Sequence, residues 1–79
     1  MILNPKQRTV LLSITTEWQT PSQIANELST FSGDLSDVQQ VLKDLLRAGL
    51  VQINPVVFGL YRLTTEGINI KELELRKNN

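Results

Sequence analysis

Ser36, Gln40, Lys43 and Arg47 are spaced i, i+4, i+7 and i+11 within the segment Asp34 to Leu50. At ~100° per residue this spacing keeps them on one narrow strip of a helix. The strip carries specific chemistry. A Gln amide presents a donor and an acceptor side by side and can bond an adenine edge in a bidentate way. The Arg guanidinium can do the same with guanine, and Lys can neutralise a phosphate. Asp37 and Asp44 flank the strip, so the same residues also describe an ordinary solvated helix face.

The opposite side of this helix supplies the reason for it to form. Val38, Val41, Leu42, Leu45 and Leu46 make an apolar stripe that needs a core. Asp34 and Ser36 are both suitable caps at the start. Gly49 ends the helix in a left-handed cap, with Leu50 folding back on the last turn.

Two shorter helices precede it. Asn4 caps the first, with Pro5 in the first helical position, and Val10, Leu11, Ile14 and Trp18 share one side. Thr20, Pro21 and Gln23 form a capping-box signature for a second helix, which carries Ile24, Ala25 and Leu28 and ends near Thr30. A turn follows, in which Phe31 covers the core and Gly33 supplies positive φ.

After Gly49 the period changes from helical to alternating. Residues 50–54 and 59–63 read as two antiparallel strands, with Pro55, Val56, Val57, Phe58 and Gly59 at the hairpin tip. A fourth helix runs from about Thr65, as its cap, to about Arg76. Ile68 and Leu75 fall on one side of it, and Ile70 and Leu73 on nearly the opposite side. One face is expected to pack on the domain and the other, through Ile70 and Leu73, on a second copy.

Composition narrows the function classes. The 79 residues suit one domain, 1–77, with a disordered tail at 78–79. The chain has no Cys and no His. This excludes zinc fingers, Cys–His pairs, Ser–His–Asp triads and histidine metal sites. The carboxylates are scattered, and no Gly-rich phosphate loop occurs, so neither catalysis nor a cofactor is expected. Eight Lys+Arg balance eight Asp+Glu. Any nucleic-acid contact must therefore come from local charge placement, not from bulk charge. No apolar run is long enough to span a bilayer, and the opening residues lack signal-peptide organisation. The expected location is cytoplasmic, with no membrane partner.

The order helix, helix, helix, hairpin, helix carries a family resemblance. The stretch SDVQQVLKDLLRAGLVQI resembles the recognition helix and first wing strand of winged-helix transcriptional regulators of the MarR, PadR and ArsR type. Tyr61 to Gly67 resembles their second wing strand and turn, where a Tyr-x-Leu-Thr-x-Glu-Gly pattern recurs. The likeness runs from about Pro5 to Ile70. It implies an α+β, mostly helical fold with a three-helix core, a two-stranded wing and a C-terminal helix. It also implies a dimeric, double-stranded DNA-binding regulator. Ser36, Gln39, Gln40, Lys43 and Arg47 would read the major groove, and Lys6, Arg8 and Arg62 would help hold the backbone. MarR-type wings usually carry Arg near the tip, whereas here the tip is Val56, Val57 and Phe58. An exposed apolar tip more often marks a protein contact. The alternative function is therefore a winged-helix protein-interaction module that uses this tip or the last helix.

Overall fold

Short polar side chains at helix starts and glycine at a helix end set the frame of the molecule. The computed structural model describes residues 2–28 and 35–77. Expectations for Phe31, Gly33, Asp34 and the tail at 78–79 lie outside the described residues.

The Asn4 side chain accepts the Gln7 N–H at 2.8 Å, and the Gln7 side chain accepts the Asn4 N–H at 3.0 Å, which starts α1 (Pro5–Ser13). Thr20 and Gln23 repeat the device for α2 (Pro21–Glu27), at 3.1 and 2.8 Å. Helix α1 stops at the extended cap residue Ile14, so Trp18 lies beyond the helix and not on its stripe. Helix α2 closes at Leu28.

Helix α3 spans Leu35–Arg47. Gly49 takes φ +80°, its N–H reaches the Leu46 carbonyl at 3.1 Å, and the Leu50 N–H reaches the Leu45 carbonyl at 2.9 Å. These two bonds form a Schellman cap, which satisfies carbonyls that the helix end leaves open.

Strands β1 (Val51–Ile53) and β2 (Tyr61–Leu63) pair antiparallel, with Val51 opposite Leu63, Gln52 opposite Arg62 and Ile53 opposite Tyr61. Asn54 extends the ladder by donating to the Leu60 carbonyl at 2.9 Å. On its other edge β2 meets a one-residue bridge that the alternation does not reveal. Gln19 and Tyr61 exchange backbone hydrogen bonds of 3.0 and 2.8 Å.

The core is Val10, Leu11, Ile14, Ile24, Val38, Val41, Leu42, Leu45, Leu50, Val51 and Leu63. Leu46 is not part of it and remains 38% exposed. It sits roughly 90° from the mean direction of Val38, Val41, Leu42 and Leu45 on the helix, at the edge of the buried stripe.

Helix α4 spans Thr65–Arg76, and its cap is Thr64, not Thr65. The Thr64 hydroxyl accepts the Gly67 N–H at 3.0 Å and donates to the Gly49 carbonyl at 2.6 Å. One hydroxyl thus serves the ends of both α3 and α4. The docking face of α4 is centred on the buried Gly67 and Glu74, between the two apolar sides read from the sequence. Ile68 and Ile70 both pack against the core from the flanks, while Leu73 and Leu75 remain about half exposed. Ile70 therefore contributes to the contact with its own domain.

Polar contacts complete the seat of α4 on α1. Arg8 Nε meets Glu74 Oε2 at 3.1 Å, and another guanidinium nitrogen donates to the Glu74 carbonyl at 3.3 Å. Lys77 approaches the other Glu74 oxygen at 3.3 Å. Lys71 Nζ donates to the Ile14 carbonyl at 2.8 Å, placing a cation at the negative end of α1. The result is a three-helix core, a hairpin wing and a C-terminal helix, the α+β winged-helix arrangement.

Candidate nucleic-acid interface

Burying Val38, Leu42 and Leu45 turns the opposite side of α3 outward. Ser36, Gln39, Gln40, Lys43 and Arg47 are all exposed on it. All five therefore share one accessible helix surface. Lys43 and Arg47 make no ion pair among the described residues, so both charges are available to a ligand.

The two carboxylates beside the strip are both tied toward α1. Lys6 Nζ lies 3.5 Å from Asp37. Asp44 accepts from Gln7 Nε2 at 3.4 Å with one oxygen and from Gln40 Nε2 at 3.2 Å with the other. Their negative charge sits on the flank nearest α1 and is partly answered there. Gln7, Asp44, Arg47 and Ala48 line an open hollow at this edge.

The remaining basic residues separate. Arg8 is held by Glu74 on the α1–α4 side, so it is not the free backbone-contacting cation expected from the sequence. Arg62 stands on β2, away from the α3 strip. Its guanidinium lies over the Trp18 ring, 4.2 Å from the centroid, a cation–π contact. Sequence periodicity places Trp18 on the apolar side of the first helix and gives no sign of this pairing, because the partners lie on different elements.

The hairpin tip is fixed in shape although its side chains are free. Asn54 Oδ1 accepts the N–H groups of Val56 and Val57 at 2.8 and 2.9 Å, and Gly59 closes the turn at φ +91°. Val56 is 82% and Phe58 83% exposed, and Val57 is half exposed. Among the described residues no cluster of three acidic side chains is placed to hold a metal ion. None of their helices is long and apolar enough to cross a membrane.

No protein-family model matches the chain, and no curated protein matches it in sequence. Its fold is similar to that of wild-type ZitR of Lactococcus lactis, whose structure was solved in complex with DNA. The TM-score is 0.74 at 20% identity, covering 96% of this chain and 53% of that one. The chain thus spans about half the length of ZitR. At this identity the likeness establishes the winged-helix fold.

Proposed function

We propose that this protein is a DNA-binding winged-helix regulator that places α3 in the major groove. The observation that carries the reading is the exposed strip of Ser36, Gln39, Gln40, Lys43 and Arg47 on a helix whose other side is locked into the core. The similarity of the fold to ZitR, a protein whose structure was solved in complex with DNA, supports it. In this reading Gln39 and Gln40 bond base edges, Ser36, Lys43 and Arg47 face bases or phosphates, and Arg62 braces the backbone from the wing. Two cytoplasmic copies would occupy half-sites about one helical turn apart. Leu73 and Leu75 are the apolar side chains that α4 leaves available for pairing.

The test is fluorescence anisotropy of a labelled random-sequence duplex, at about 20 mM and then about 150 mM salt. Binding that weakens steeply with salt is the expected result. Lys43→Glu should weaken it about tenfold or more for all sequences alike and lower the salt slope by about 1. Absence of binding at low salt would refute the proposal.

A second reading rests on the tip. Three apolar side chains held outward on a shaped turn favour a protein contact at Val56, Val57 and Phe58. Phe58→Ser should then abolish partner capture while the circular dichroism spectrum is unchanged and the unfolding free energy stays within about 0.5 kcal/mol of the parent, the usual range for surface changes. Undiminished capture by Phe58→Ser would remove the tip from consideration.

A further inference from the structure

The geometry points to Asp44 as a positioning residue that fixes the Gln40 amide for an A·T base pair, an inference that rests on the DNA-binding reading. Three hydrogen bonds connect the start of α1 to the face of α3. The Asn4 N–H donates to Gln7 Oε1 at 3.0 Å, which leaves Gln7 Nε2 to donate to Asp44 Oδ2 at 3.4 Å. Asp44 Oδ1 then accepts from Gln40 Nε2 at 3.2 Å. Each link restricts the next. A backbone N–H can only donate, so it fixes which end of the Gln7 amide faces Asn4. An ionised carboxylate can only accept, so it fixes which end of the Gln40 amide faces Asp44.

The orientation matters because a Gln amide edge carries one acceptor and one donor. The nitrogen has two hydrogens. With the hydrogen anti to Oε1 held by Asp44, the edge that remains carries Oε1 beside the syn N–H. That edge matches the N6 donor and N7 acceptor of adenine. A free amide can turn over and offer a single bond to other bases, whereas a tethered one presents its pair in a fixed order. Asp44 faces Gln7 and Gln40 and lines the hollow shared with Arg47 and Ala48. Its charge opposes phosphate, so its two effects on DNA binding have opposite signs. It lowers affinity for every duplex and raises preference at one position.

The experiment selects bound duplexes from a library with a randomised centre and sequences them, for the parent protein, Gln40→Ala, Asp44→Ala and the double variant. The parent should enrich a motif in which one A·T position is lost in Gln40→Ala. Asp44→Ala should bind the unselected library more tightly, yet discriminate less at that same position, by about 5- to 150-fold if the bidentate pair is lost. In the Gln40→Ala background, Asp44→Ala should change the motif no further. A motif unchanged by Asp44→Ala, or changed at a different position from Gln40→Ala, overturns the inference and leaves the DNA reading intact. Failure of the parent to bind any duplex removes both. Side-chain amide NMR of the parent gives a separate check. Of the Gln40 NH₂ pair, assigned by its loss in Gln40→Ala, the proton bonded to Asp44 should be shifted downfield and protected from exchange in the parent, and should lose both in Asp44→Ala. A Gln40 amide that behaves like a free surface glutamine overturns the inference.

Discussion

Gly67→Ala should lower the melting temperature by roughly 5–20 °C, from about 1–3 kcal/mol of overpacking in a domain of this size. The sign distinguishes this site from an ordinary helix. Alanine is a better helix former than glycine by about 1 kcal/mol, so propensity alone predicts a rise. Gly67 is buried in the first turn of α4, and a Cβ there would collide with the backbone carbonyl of Leu50 and press on the Leu63 side chain. Backbone cannot move aside as a flexible side chain can. The Leu50 carbonyl also accepts the Thr64 N–H at 3.1 Å, so moving it disturbs the cap of α4. Thermal melting by circular dichroism decides the matter. A variant that melts at or above the parent would show that α4 does not seat on this carbonyl.

Leu45→Ala should cost about 2–5 kcal/mol, against a total stability of about 5 kcal/mol or little more for so small a domain. Leu45 is fully buried among α1, α2 and the wing residues of the core. Its carbonyl holds the Leu50 N–H of the Schellman cap, so a shift of the backbone there would loosen the start of β1. Urea titration should show a largely lost folded baseline. Leu46→Ala, one residue on, should stay within about 1 kcal/mol, because that side chain already meets water. Equal losses at the two positions would contradict the boundary of the core at Leu45.

Local chemistry was legible in the chain, and contacts between distant segments were not. Asn4, Pro5, Thr20, Pro21 and Gly49 announce helix ends because capping depends on residues within four positions. The buried set on α3 follows from the 3.6-residue period, except at Leu46, where the width of the stripe depends on what covers it. Thr64 displaced Thr65 as the cap of α4 because its hydroxyl also reaches Gly49, a contact made across the fold. The face of α4 departs from its apolar pattern for a related reason. Apolar spacing marks the flanks, while the seat is made by a glycine and by Glu74, which Arg8 neutralises from 66 residues away. The candidate strip on α3 was readable residue by residue. The ties that orient it, Gln7 to Asp44 and Lys6 to Asp37, join α1 to α3 and leave no periodic trace.

The stack of Arg62 on Trp18 gives the protein its own optical label. Trp18 is the one tryptophan of the chain, so its emission comes from a single known place at the base of the wing. A cation held 4.2 Å from the ring centre shapes the field in which the indole emits. Whatever draws the guanidinium away, whether a phosphate or an acidic side chain, leaves that ring in a different environment. Colour and intensity should then change without any dye attached. Occupancy of the wing can be followed in the unmodified protein.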